Sequence, residues 1–146
     1  MEPINHIFIS HQQQCDPDEV EKLIHYLQKA GFSVQHGNLS QEEFNAILPE
    51  IESYVCVLDE QSHRSKNLAL EITAAAMNGK KVFAIFCPTL MVEIQLPSAL
   101  DTCAAGITEW NPEKLEEGLK GEDIGFTDQQ GKSKANTRGT KPPSCK

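Results

Sequence analysis

The fold of this 146-residue chain is decided by an almost continuous apolar segment, YVCVLD at residues 54–59. A strand that faces water on one side alternates apolar and polar residues, whereas a strand buried on both faces of a parallel sheet is apolar throughout. A second segment of this kind follows at residues 81–87, after a stretch long enough for a helix. Together, the two segments predict a parallel sheet that is covered by helices on both faces.

The same strand-helix alternation continues on either side of these two segments. Further strands are predicted at residues 5–10, 32–36 and 105–110. Each helical apolar pattern follows a polar residue able to cap a helix start, namely Asp16, Ser40, Ser65 and Asn111. Five such repeats predict an α/β fold, a three-layer sandwich around a five-stranded parallel sheet.

The chain divides by composition into one domain, residues 1–121, and a tail, residues 122–146. The tail is rich in Gly, Ser, Thr and Lys and has almost no apolar residue after Phe126. Such a composition cannot bury enough apolar surface to fold, so a disordered tail is predicted. Within the domain, residues 88–100 are expected to be irregular, with a short helix after Pro97.

Charge and cysteine content limit the classes of partner and compartment. The net charge of −8 argues against nucleic acid as the main partner, because phosphate contacts need clustered Lys and Arg. No apolar run approaches the ~20 residues of a membrane span. The five cysteines form no CxxC motif, and Cys56 and Cys87 are expected to be free thiols packed as small hydrophobes. With no signal peptide visible at Met1, these features predict a cytoplasmic protein.

One carboxylate, Glu71, stands inside an apolar helical run, SKNLALEITAAAM at residues 65–77. Removing a carboxylate from water is costly unless something compensates for it. Such a glutamate often has a raised pKa and can hold a substrate hydroxyl or stabilise a cation. The alternative is that Glu71 only points to solvent from the edge of the helix.

Ligands of open parallel sheets bind beyond the carboxyl ends of the strands, so the polar residues that follow the strands are candidate site residues. No GxGxxG or GxxxxGK[ST] motif is present, and the lone His11 and Cys15 pair does not predict a metal site. Asp59 has a second interpretation as a loop cap. The residues predicted to line a pocket with Glu71 are Ser10, His11, Gly37, Asn38, Asp59 and Ser65.

Three segments of residues 4–120 resemble TIR domains, including the TIR-like proteins of bacterial anti-phage systems. IFISH at residues 7–11 is similar to the opening strand of these domains. Ser65 and Glu71 match the first and last positions of their S-x-W-x-x-x-E segment, although Asn67 replaces the usual aromatic residue. GKKVFAI at residues 79–85 is similar to the Gly-Lys run into their fourth strand.

The resemblance implies a flavodoxin-like TIR fold and a catalytic role for Glu71. It also implies that NAD is a substrate rather than a permanently bound cofactor, and that its nicotinamide-ribose bond is cleaved. The product would then be a nucleotide signal in immune defence. Self-association, or assembly with another TIR domain, is the implied protein partnership, with no nucleic acid or membrane partner.

Two alternatives to this enzyme remain open at the sequence level. The first is a TIR interaction module without turnover, which the replacement of the aromatic residue by Asn67 favours. The second is an enzyme similar to nucleoside 2-deoxyribosyltransferases, which also use a helical glutamate in a related α/β fold.

Overall fold

The computed structural model describes residues 5–11, 16–37, 40–88, 94, 96–122 and 124–127. The strands in these ranges are β1 (Asn5–Ser10), β2 (Phe32–Gly37), β3 (Ser53–Leu58), β4 (Lys81–Phe86) and β5 (Gly106–Thr108). The α-helices are α1 (Pro17–Lys29), α2 (Gln41–Ile47), α3 (Lys66–Met77), α4 (Ser98–Cys103) and α5 (Pro112–Leu119).

The five strands form one sheet in the order β2-β1-β3-β4-β5, and every pair is parallel. This is the flavodoxin-like arrangement, so the predicted fold class is confirmed. Ser10, at the end of β1, lies opposite Gly37 of β2 and Cys56 of β3. The central strand therefore places Cys56 and its neighbours next to the end of β1.

The sheet separates two apolar cores because successive side chains of a strand point to opposite faces. All six residues of β3 are buried, as the apolar sequence predicts. Tyr54 and Cys56 face the core that the sheet forms with α2, α3 and α4. Val55 and Val57 face the other core, with α1 and α5.

The predicted helix starts are confirmed by the side-chain caps. The Oδ1 atom of Asp16 accepts a hydrogen bond from the N–H of Asp18 at 3.0 Å. Ser40 and Glu43 form the reciprocal capping box. The short helix expected after Pro97 is present as α4. The remaining caps are Ser65 and Asn111.

The packed part of the chain extends further than the sequence predicts. Phe126 forms a bridge with Ile107 of β5, and the N–H of Thr127 donates to the carbonyl of Ile107 at 2.9 Å. The predicted boundary at residue 121 is therefore too early, because residues 124–127 add backbone hydrogen bonds to the outer edge of β5. The rest of the predicted tail, residues 128–146, lies outside the described residues.

The cysteines only partly follow the expectation from sequence. Cys56 is a free thiol. Cys87 is disulfide-bonded, so the expectation of a free thiol at that position is wrong. Because a disulfide is not typical of a reducing compartment, the cytoplasmic location stays a prediction. None of the helices in the described ranges has the length and apolar composition needed to cross a membrane.

The contact between Ile124 and β5 yields a stability prediction. A Cβ atom at Gly106 would lie 2.6 Å from Cγ1 and 2.9 Å from Cδ1 of Ile124. We expect Gly106→Ala to lower the free energy of unfolding by about 1–3 kcal/mol, as overpacking does elsewhere. Urea denaturation of the variant and of the unmodified protein measures this difference.

The double variant with Ile124→Ala provides the control for the overpacking explanation. Removing the Ile124 side chain makes room for the new methyl group, so the effect of Gly106→Ala should be smaller in that background. An equal effect in both backgrounds would contradict the proposed contact.

Candidate active site

Glu71 lies in the second turn of α3 and points into the core rather than to solvent. Only 2% of its surface is exposed. The alternative interpretation, a glutamate at the solvent edge of the helix, is therefore wrong. A carboxyl group at this depth needs a hydrogen-bond partner, since a buried polar group without one is costly.

The partner of Glu71 is Tyr54 on β3. The Tyr54 hydroxyl donates a hydrogen bond to Oε1 of Glu71 at 2.8 Å, and Tyr54 is completely buried. A buried tyrosine usually needs an acceptor for its hydroxyl group. The two side chains thus satisfy each other across the boundary between the sheet and α3.

Ser10 brings a third polar group to the same place. It is buried at the end of β1, beside Cys56 in the sheet, and it shares a face with Tyr54. Its hydroxyl is close enough to Glu71 and Tyr54 to lower the pKa of each. Among the described residues, however, Ser10 Oγ has no partner at hydrogen-bond geometry. Ser10 therefore offers an unused hydroxyl next to the Tyr54–Glu71 pair.

Burial controls the protonation of this cluster. Loss of hydration raises the pKa of Glu71, against the opposing effects of the Tyr54 hydrogen bond and the nearby Ser10 hydroxyl. Burial, together with the nearby Glu71 carboxylate, also raises the pKa of the Cys56 thiol. The carboxyl group can consequently change between a neutral proton donor and a carboxylate at a higher pH than an ordinary glutamate.

Asp59 directly follows β3 and serves as a loop cap, the second of its two interpretations. Its Oδ1 accepts a hydrogen bond from the N–H of Gln61 at 2.8 Å and another from the hydroxyl of Ser62 at 3.2 Å. These bonds fix the turn that leads toward α3. The other carboxylate oxygen, Oδ2, is buried and has no partner among the described residues. Binding of a ligand by Asp59 stays a prediction.

Ser65 caps the helix that carries Glu71. Its Oγ accepts a hydrogen bond from the N–H of Leu68 at 3.0 Å. The cap fixes where α3 begins and so fixes the height of Glu71 beside the sheet. Ser65 therefore has a structural role, and its predicted role in binding a ligand stays a prediction.

His11 does not lie with Glu71. Nε2 of His11 is 3.3 Å from Nδ1 of His36, and the two imidazoles border a cavity of about 430 Å³ against Val20 and Ile24 of α1. This is the face of the sheet opposite Glu71. The prediction of one pocket shared by His11 and Glu71 is therefore corrected to two separate places.

The imidazole pair has its own electrostatic character. Burial lowers the pKa of His11, and the neighbouring His36 lowers it further. At neutral pH this favours a neutral His11, whose Nε2 shares one hydrogen bond with Nδ1 of His36. Glu21 and His25 of α1 border the same cavity. In the described part of the chain, no group of three or more His, Cys, Asp or Glu side chains is arranged to hold a metal ion.

The two predicted site residues after the second strand are placed only in part. Gly37 ends β2, and its carbonyl accepts a hydrogen bond from the N–H of His11 at 3.4 Å. Its φ of 141° is a conformation that favours glycine. Asn38 lies outside the described residues. Gly37 thus belongs with the imidazole pair at the edge of the sheet.

Tyr54 and Cys56 belong to the site although the sequence predicts them only as part of the apolar strand. A usable signal was present, because a tyrosine in a strand buried on both faces needs a polar partner for its hydroxyl. Glu71 is a polar side chain in the helix that follows this strand.

No model of a known protein family matches the chain, and no curated protein matches it either. The likeness to TIR domains consequently depends on the three segments at residues 7–11, 65–71 and 79–85, and membership of that family stays a prediction.

The burial of Glu71 gives the chain a predictable pH dependence. The folded-state pKa of Glu71 is raised above its ordinary value of 4.5. Its contribution to stability is therefore complete below pH 4.5 and is lost as the pH rises through the folded-state pKa. We expect Glu71→Gln to remove this decline, as measured by urea denaturation at a series of pH values.

The comparison with the unmodified protein decides the result. The stability difference between the two proteins should shift in favour of Glu71→Gln as the pH rises above 4.5. A difference that stays constant with pH would show that Glu71 titrates like an exposed glutamate.

Proposed function

We propose that this protein is a TIR-like enzyme that consumes NAD by cleaving its nicotinamide-ribose bond, with Glu71 as the catalytic residue. The observation that carries the proposal is the buried Glu71 carboxyl group, held by Tyr54 beside the Ser10 hydroxyl, which has no hydrogen-bond partner among the described residues. A nucleotide signal in immune defence is the corresponding biological output.

Two further features support this assignment. The strand order is one in which ligands bind beyond the carboxyl ends of the strands, and Ser10 is the last residue of β1. In addition, a titratable group with a pKa raised by burial is typical of functional sites. The polar cluster therefore lies where ligands bind in this fold and contains a carboxyl group with a raised pKa.

The reaction needs a negative charge near the sugar. Breaking the bond between nicotinamide and ribose gives the ribose oxocarbenium character, and nicotinamide leaves with the bonding electrons. An ionised Glu71 stabilises that positive charge, as pre-organised electrostatic groups do in other enzymes. Carboxylates perform a related task in glycosidases. Water, or a nucleophile within the nucleotide, then completes the reaction.

The same geometry also suits a second enzyme. A carboxylate fixed by a tyrosine can attack C1′ of a deoxynucleoside, which breaks the bond to the base, releases that base and forms a covalent intermediate. In a nucleoside 2-deoxyribosyltransferase-like reaction, a different free base would then attack C1′ and displace the carboxylate. An interaction module, the third alternative, would self-associate and turn over neither substrate.

A direct test is the loss of NAD in the presence of concentrated protein. We expect the unmodified protein to release nicotinamide, and we expect Glu71→Gln to reduce its rate by at least about 10²-fold because the charge is lost. Chromatography of the reaction mixture resolves NAD, nicotinamide and the nucleotide product.

Glu117→Gln is the matched control, because Glu117 is an exposed carboxylate on helix α5. This variant should keep the full rate. Retained turnover in Glu71→Gln, with a normal unfolding transition, would contradict the catalytic role. Base exchange on a deoxynucleoside without NAD loss would assign the second enzyme, and self-association without either reaction would assign the module.

A further inference from the structure

Tyr54 packs against two other aromatic rings. Its ring stacks on Phe8 with centroids 6.1 Å apart and meets Phe44 edge-on at 5.6 Å. Phe8 and Phe44 also contact each other, at 5.8 Å. All three residues are fully buried or almost so. The position of the Tyr54 hydroxyl is therefore fixed by the packing of the core rather than by a flexible side chain.

We infer that Tyr54 is a positioning residue for the reaction at Glu71: its hydroxyl holds Oε1 and directs the other carboxyl oxygen, Oε2, toward the sugar of the substrate. This inference rests on the proposed function. It adds a residue that the resemblance to TIR domains does not supply, and it assigns different tasks to the two oxygens of one carboxyl group.

A glutamate side chain needs such a support. It has three rotatable bonds, and its terminal carboxyl torsion is broad. A misplacement of about 1 Å at a reacting group can reduce a rate by about 10²-fold. A rigid donor 2.8 Å from Oε1 removes that freedom. Hydrogen-bond partners that orient the ligands of metal sites commonly account for about 10- to 100-fold of the activity, and we expect an effect of similar size here.

Ser10 supplies a second polar group beside the carboxyl group. Its buried hydroxyl interacts with Tyr54 and Glu71 but makes no hydrogen bond among the described residues. A ribose hydroxyl placed there would form a hydrogen bond with Ser10 Oγ and lie next to the carboxyl group. Ser10 and Glu71 would then bind the sugar together, while Tyr54 stays behind them.

A purely structural role for Tyr54 makes a different prediction. The hydrogen bond would then only satisfy two buried polar groups, and its loss would reduce stability without changing the chemistry of Glu71. The readout that separates the two roles is the pH profile. Among the described residues, the titratable groups whose pKa is raised by the Glu71 carboxylate are Tyr54 and Cys56, both on β3. Tyr54→Phe keeps the ring packing and removes only the hydroxyl.

Tyr54→Phe should lower kcat for NAD loss by about 10- to 100-fold with a smaller change in KM. Because the Tyr54 hydrogen bond lowers the pKa of Glu71, its removal should move the acid limb of the kcat profile to higher pH. The same variant should extend the pH-dependent decline in stability to higher pH, as measured by urea denaturation.

The chain offers a closely matched control on its other face. The Tyr26 hydroxyl donates to Oε1 of Glu116, also at 2.8 Å, between α1 and α5. Tyr26→Phe removes an equivalent hydrogen bond far from Glu71. It should leave kcat, KM and the acid limb of the profile unchanged, so any general effect of losing a tyrosine-glutamate bond is measured separately.

The outcomes distinguish this inference from the proposed function. Turnover by Tyr54→Phe with the kcat and pH profile of the unmodified protein would overturn the positioning role while the proposed function stands. No NAD loss by the unmodified protein would overturn both the proposed function and a role of Tyr54 in it. In that case the stability measurements still decide whether Tyr54 controls the protonation of Glu71, and an unchanged decline in Tyr54→Phe would contradict that control too.

Discussion

Complete burial of the central strand is the constraint on which the rest of the structure depends. β3 has no residue that reaches water, and α3 closes one of its faces. Any polar side chain between the two must therefore find its partner inside the protein. Tyr54 and Glu71 are such side chains, and each is the hydrogen-bond partner of the other, at 2.8 Å. The contacts that form the candidate active site are thus also contacts that stabilise the core.

Much of the fold could be predicted because its signals are local. An apolar run marks a strand buried on both faces, and a cap such as Ser40 or Ser65 marks a helix start. The packing of residues 124–127 on β5 could not be predicted in this way, because so short a segment is ordered only by its contacts with a strand that is distant in sequence. Gly106 and Gly118 make room there for Ile124, a fit that is visible only when the three residues are brought together.

The candidate site was predictable to a smaller extent, for a different reason. Glu71 is conspicuous in the sequence, whereas Tyr54 becomes its partner only through the packing of α3 on β3. The prediction that His11 and Glu71 share one pocket was wrong because it ignored the alternation of side chains along an extended chain. Ser10 is the last residue of β1 and His11 directly follows it, and successive side chains of an extended chain point to opposite faces. One end of the strand therefore supplies a hydroxyl to the acidic cluster and an imidazole to the opposite face.

The two demands on Glu71 oppose each other. Burial favours its neutral form, whereas stabilising a positive sugar requires its charged form. An apolar residue of similar volume would avoid the loss of hydration and would suit the surrounding core, which includes Leu68 and Ile72 of the same helix. A position occupied by a residue that destabilises the core, where an apolar residue would be more stable, is characteristic of a functional site. The hydrogen bond from Tyr54 reduces this conflict, since it favours the charged form without exposing the carboxyl group to water.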